Sequence, residues 1–144
     1  MTSYAVVFCI AYSILSVWFD WRTFRIPNRL IGFGYLAAFF IQMLLSEGTV
    51  KERLLRLAIG ALCPMILLGL IWMAGGIGAG DVKLLSVLGL VLGAEEIIIC
   101  IVISFIVGAI IGIIAKIAKR DKIHFSVAIL VGIVIHFIQN GGIS

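Results

Sequence analysis

The sequence predicts an all-α, polytopic integral membrane protein of about six transmembrane helices. Three observations carry that expectation. Of its 144 residues 63% are apolar and only 12% are charged, about half the roughly 25% charge of soluble domains. The apolar residues come in long runs divided by short polar connections, and the basic residues gather at the ends of those runs. A soluble chain of this size buries only about 60–70% of its surface, too little to hide a sequence whose mean hydropathy is +1.27. The soluble single-domain class is therefore excluded.

The apolar runs fall at residues 2–19, 30–45, 54–74, 82–94, 97–115 and 123–138. Each is read as a helix, because an open strand or loop in lipid leaves backbone groups without partners. A full span takes about 20 residues, so the short fourth run is expected to be half-buried or tilted. Pro64 in the third run is tolerable as a kink. Gly32, Gly34, Gly60, Gly69, Gly89, Gly108, Gly112 and Gly132 are small positions that let helices approach closely. No repeat, linker or domain boundary interrupts residues 1–144, which read as a single transmembrane domain.

Orientation follows from the basic residues, which favour cytoplasmic connections. With six spans, the first, third and fifth connections share one side and hold Arg22, Arg25, Arg29, Lys83, Lys116, Lys119, Arg120 and Lys122. The other side holds only Lys51, Arg53 and Arg56. The first group is expected in the cytoplasm, with both termini extracytoplasmic. Trp18, Trp21 and Trp72 fall at the same interface, as an aromatic belt should. The first apolar run precedes the first basic residue, Arg22. A secretory signal has the reverse order, so the run is expected to be a retained span. The net charge of +4 is thus a topology signal beside membrane lipid, and no nucleic-acid partner is expected. The patch from Lys116 to Lys122 has the same reading.

Cys9, Cys63 and Cys100 lie inside apolar runs without any CxxC, which supports neither a zinc site nor a disulfide framework. His124 reads as interfacial and His136 as structural, and neither belongs to an HExxH pair. Gln42 and Gln139 are isolated and carry no reading. Among the acids, Glu47 and Glu52 read as solvated loop charges, Glu95 and Glu96 as turn polarity, and Asp121 as a member of the basic patch.

Asp20 and Asp81 stand apart. Asp20 ends the first span and is followed by Arg25-Ile26-Pro27-Asn28; Pro27 suits the start of the second helix, where a missing N–H costs nothing. Asp81 closes the stretch Gly75-Gly76-Ile77-Gly78-Ala79-Gly80. That stretch is not a phosphate loop, because Asp81 and Val82 occupy the positions where Lys and Ser or Thr are needed. Acids at bilayer depth cost about 2.5–3.5 kcal/mol on insertion scales, so these two need a reason. One is local pairing with Arg22 and Lys83. Another is catalysis: two carboxylates sharing one proton have split pKa values. The ionised one then takes a proton from water while the protonated one donates to a peptide carbonyl. Glycines beside the acid let an extended substrate backbone come close.

The segment Gly78-Ala79-Gly80-Asp81-Val82-Lys83-Leu84 resembles the GxGDxKL motif of type IV prepilin peptidases, and Asp20 with Arg25-Ile26-Pro27-Asn28 resembles that family's first aspartate and IPN segment. Residues 123–132 resemble its later IPFxPxLxxG stretch but lack both prolines, and no function is placed on them. Presenilin-like proteases share GxGD, but their YD and PAL motifs are absent here. The resemblance implies an intramembrane aspartic endopeptidase that removes the leader of type IV or Flp-like prepilins at the cytoplasmic membrane face. It makes Asp20 and Asp81 the catalytic pair, with Gly78, Gly80, Lys83, Arg25 and Asn28 as substrate-binding or site-supporting positions. It needs no metal and no cofactor. Larger members carry an N-terminal domain with paired CxxC motifs linked to N-methylation, which this sequence does not contain, so cleavage without methylation is expected. The alternatives are a small ion or solute carrier and a non-catalytic subunit of a pilus or secretion assembly.

Overall fold

The computed structural model describes residues 3–23, 25–119, 124–139 and 141. Among them are six helices and no strand: α1 (Ser3–Thr23), α2 (Asn28–Leu45), α3 (Val50–Met73), α4 (Ala79–Leu92), α5 (Ala94–Ile117) and α6 (Phe125–Gln139). Each of the six apolar runs therefore becomes a helix. α1, α3 and α5 are long and apolar enough to cross a membrane, while α2 and α6 are shorter apolar helices. Their outward side chains are large and apolar, among them Ile98, Ile99, Val102, Ile106, Ile110 and Ile113 of α5. Such a surface suits lipid and not water.

The helix ends follow from local chemistry. Pro27 (φ −64°) precedes α2 and its carbonyl accepts from the N–H groups of Leu30 and Ile31. α3 starts at a capping box in which the Thr49 hydroxyl accepts from Glu52 N and the Glu52 carboxylate accepts from Thr49 N. This corrects the reading of Glu52 as a loop charge: it satisfies a helix-end donor that would otherwise lack a partner. Gly75, at φ +77°, ends the chain's turn after α3. Gly93 alone separates α4 from α5 at φ +88°, a conformation open to glycine and strained for other residues.

α4 is the centre of the fold and packs against every other helix. Val82 and Leu84 through Leu92 are all buried, and a helix that is apolar all round belongs in a core. The helix expected to be half-buried or tilted is thus enclosed from Leu84 to Leu92, and only its first turn and Lys83 reach the surface. Its 14 residues span about 21 Å, short of the roughly 30 Å of a hydrocarbon core. Its polar groups are matched by the surrounding helices. Tyr35 OH donates to Ser86 Oγ at 2.9 Å, and Ser86 Oγ donates to the Ala61 carbonyl at 2.9 Å, which joins α2, α4 and α3. At the far end, buried Gln42 donates through Nε2 to the Val91 carbonyl at 2.7 Å. Gln42, which carried no sequence reading, therefore satisfies a carbonyl in the last turn of α4, where no further turn of the helix can do so.

Five glycines mark tight helix contacts. Gly60 of α3 and Gly89 of α4 lie backbone to backbone, Gly34 faces Tyr12, Gly108 faces Phe125 and Gly132 faces Ser104. Gly32 and Gly69 differ from expectation: a side chain there would meet open space. Pro64 stays within a continuous α3 and sits beside Gly89. Cys9 and Cys100 are buried, Cys63 is partly buried, and all three are free thiols. The described C-terminal half of the bundle carries one further pairing. Buried His136 of α6 meets the Glu96 carboxylate of α5, Nε2 to Oε2 at 2.5 Å. Glu96 is thus more than turn polarity. Asp121 lies outside the described residues.

Candidate active site

The end of α1, the start of α2, the start of α4 and the start of α6 meet at one end of the bundle. Asp20 is in the last turn of α1 and Asp81 in the first turn of α4. Both line one cleft of about 540 Å³, together with Arg25, Ile26, Pro27, Asn28, Gly78, Ala79, Gly80 and Lys83. All seven residues singled out from the sequence, although they come from two segments more than 50 positions apart, therefore share a single cavity. A second cleft, of about 620 Å³, also touches Asp20, Gly78 and Asp81 but continues along Gly75, Gly76, Ile77, Phe105, Gly108, Ala109 and Phe125. The two aspartates thus stand where a cleft rimmed by Arg25 and Lys83 adjoins one lined by glycines and the side chains of Phe105, Ala109 and Phe125.

The local packing explains the glycine-rich stretch. A side chain at Gly80 would lie 3.3 Å from Ile26 Cβ, so the start of α4 rests directly on the connection between α1 and α2. A Cβ at Gly78 would lie 3.0 Å from Asp81 Oδ2. Gly78 accordingly leaves the Asp81 carboxylate open to the cleft. Lys83 Nζ donates to Asn28 Oδ1 at 3.1 Å, which ties the rim of α4 to the first residue of α2.

Neither aspartate makes the bland local pair. The Arg22 guanidinium lies over the Trp18 ring, 4.5 Å from its centroid, and Lys83 is on Asn28. Asp20 instead reaches across to the start of α6. Its Oδ2 accepts from Ser126 Oγ at 2.6 Å and lies 3.1 Å from His124 Nδ1. His124 also meets the Trp21 ring, centroid to centroid at 6.2 Å. The reading of His124 as a merely interfacial residue is therefore corrected, and Ser126 is a site residue that sequence reasoning missed. The one signal was the stretch 123–132, whose missing prolines left it without an assignment.

Asp81 lies on the polar side of Val82, before the fourth apolar run begins, and its α4 is not among the helices long enough to cross a membrane. Burial pushes its carboxyl up to about 7, the nearby Asp20 adds to the rise, and the Gly78 backbone opposes it. Two acids lining one cleft, one of them raised toward neutrality, can divide acid and base work between them. Among the described residues no group of three or more His, Cys, Asp or Glu side chains is placed to hold a metal ion.

A family model described as the type IV leader peptidase family matches residues 6–113, three quarters of the chain and both aspartates. The chain belongs to the type IV leader peptidase family. It is also 31% identical over 145 residues to a prepilin leader peptidase/N-methyltransferase of Bacillus subtilis (strain 168). That match covers 96% of this chain and 56% of the relative, so the chain spans little more than half of the relative's length. No solved structure matches.

Proposed function

We propose that this protein is an intramembrane aspartic endopeptidase that removes the leader of type IV or Flp-like prepilins, with Asp20 and Asp81 as its catalytic pair. One observation carries the reading: two acids from distant segments share one cleft at one end of an otherwise apolar bundle. Membership of a leader peptidase family supplies the reaction class. The 144 residues act as one transmembrane peptidase domain of about six membrane helices, α4 the enclosed one, with both termini outside and the cleft at the cytoplasmic face. The eight basic residues on the cleft-side connections support that orientation.

Hydrolysis at such a dyad needs one ionised and one protonated carboxyl. The ionised carboxylate takes a proton from water as the water oxygen bonds to the peptide carbon, and the protonated carboxyl gives its proton to the carbonyl oxygen. In the collapse of that diol the first acid returns its new proton to the departing amine, the C–N bond breaks, and the second acid recovers a proton from a diol hydroxyl. Water is added across the bond and the dyad is restored, without a metal or cofactor. The side chains of Phe105, Ala109 and Phe125 in the second cleft suit the hydrophobic helix of a pilin precursor, and Arg25, Asn28 and Lys83 at the rim of the first suit the segment before it.

The test is co-expression with a Flp-type prepilin, with leader loss read by mass. Wild type is expected to cleave, and Asp20→Asn and Asp81→Asn are each expected to abolish cleavage while still inserting. Activity retained by either variant removes that residue from the pair. A wild type that cleaves none of several inserted prepilins overturns the peptidase reading in favour of a carrier or an assembly subunit.

A further inference from the structure

The two aspartates have unlike surroundings. Asp81 lines the cleft beside Gly78, whose backbone is the group that hydrogen-bonds its carboxylate. Asp20 has one oxygen engaged twice, both times by the start of α6: Ser126 Oγ–H at 2.6 Å and His124 Nδ1 at 3.1 Å converge on Oδ2. Ser126 is buried, at 1% exposure, so its hydroxyl is held for this contact. An oxygen that accepts from two donors has its lone pairs occupied and does not itself carry a proton. Hydrogen bonds donated to a carboxylate favour its charged form, and charge-assisted bonds of this kind are the strong ones. Oδ1 is then the oxygen left to act on a water.

We propose that His124 and Ser126 are positioning residues that give the aspartates fixed and different roles, with Asp20 the ionised base that activates water and Asp81 the acid that protonates the peptide carbonyl. The inference rests on the peptidase reading and deepens it, since a dyad with two equivalent surroundings leaves the roles open. His124 donates from Nδ1 in the tautomer this requires. Among the described residues, the charged and titratable groups around Asp20 are few. α6 presents His124, α4 presents Asp81 and Lys83, and the segment before α2 presents Arg25; on α1 itself Arg22 is turned onto Trp18. The second cleft, toward α5, adds only Phe105, Gly108 and Ala109.

The experiment is the pH profile of kcat/KM on a Flp-type prepilin in detergent micelles, for wild type, His124→Leu, His124→Asn and Ser126→Ala. Loss of a donor to Asp20 disfavours its charged form. His124→Leu and Ser126→Ala are therefore expected to move the acid limb up by about one pH unit, a tenfold loss of rate below that limb. The alkaline limb and KM stay in place. His124→Asn keeps an N–H donor and is expected to restore the wild-type limb. If the alkaline limb moves instead, the roles are reversed and the proposal falls. If rate is lost with neither limb moved, the two residues are structural and the proposal falls. In either case cleavage by wild type keeps the peptidase reading intact, whereas no cleavage by wild type removes both. An infrared titration needs neither α6 variant. At neutral pH the protonated carboxyl band is expected to vanish in Asp81→Asn and persist in Asp20→Asn, and the opposite pattern overturns the assignment.

Discussion

The contact between Gly60 and Gly89 sets where Asp81 stands, so Gly89→Ala is expected to damage a site that it does not touch. A Cβ at Gly89 would lie 3.0 Å from the Gly60 carbonyl carbon and 3.2 Å from Pro64 Cγ, and nearer still to the Gly60 carbonyl oxygen. Ordinary contact begins at 3.4 Å, so clearing the carbon requires about 0.4 Å of separation, from 3.4 less 3.0, and clearing the oxygen requires more. Overpacking of this kind costs about 1–3 kcal/mol. Alanine in place of glycine returns roughly 0.8–1 kcal/mol of helix propensity, which leaves a net loss of about 2 kcal/mol where the clash is at the upper end. Asp81 lies eight residues away on the same helix, about 12 Å along its axis, and moves with it. A displacement of about 1 Å at reacting groups can cost about 100-fold in rate. Gly69→Ala is the matched control, since a side chain there meets open space and it is expected to be neutral or slightly stabilising. The assay is unfolding in mixed micelles beside prepilin cleavage. A Gly89→Ala protein as stable and as active as Gly69→Ala would refute the reasoning, because the helices would then have slack that the contact denies them.

Three further outcomes follow from the same geometry. Glu96→Gln leaves buried His136 without its charged partner and is expected to cost about 1–3 kcal/mol. The half-open exposure of Glu96 puts the value at the low end, and a double-mutant cycle with His136→Leu measures the coupling. Gln42→Leu removes the donor to Val91 O and is expected to lower stability by about 1–2 kcal/mol without changing the pH profile, since it acts at the end remote from the aspartates; thermal unfolding decides it. The Asp81 carboxyl, raised by burial to about 7, must be protonated to act as the acid. Its share of activity is thus present below that pH and lost as pH rises through it, and a cleavage rate that climbs steadily through neutrality would count against Asp81 as proton donor.

Much of this architecture was legible because lipid narrows the choices. Runs of apolar residues in a membrane must be helices, so all six elements could be placed from composition and punctuation alone. Both aspartates and their neighbours in sequence were also legible, because each belongs to a contiguous motif, whereas His124 and Ser126, which contact Asp20 from the start of α6, were not. α4 was harder. Its short apolar run fits a tilted half-span as well as a buried post, and periodicity cannot separate a helix surrounded by lipid from one surrounded by other helices. Only the packing of α2, α3 and α5 around Ser86 and Leu84–Leu92 decides between them.

The partners of isolated polar residues were illegible for a different reason. His136 and Glu96 are 40 positions apart, Gln42 and Val91 are 49 apart, and Asp20 and Ser126 are 106 apart. A single sequence carries no signal of pairing at such separations, and each residue alone is explained well enough by turn polarity or an interface. The physics still constrains them jointly. A buried polar group needs a partner, and in a bundle with so few polar side chains the partners are scarce. Ser126 and His124 could satisfy each other or the water of the cleft, yet both are directed onto a single oxygen of Asp20. The proposal of different roles for the two aspartates rests on that asymmetry, and the pH profiles of the His124 and Ser126 variants test it.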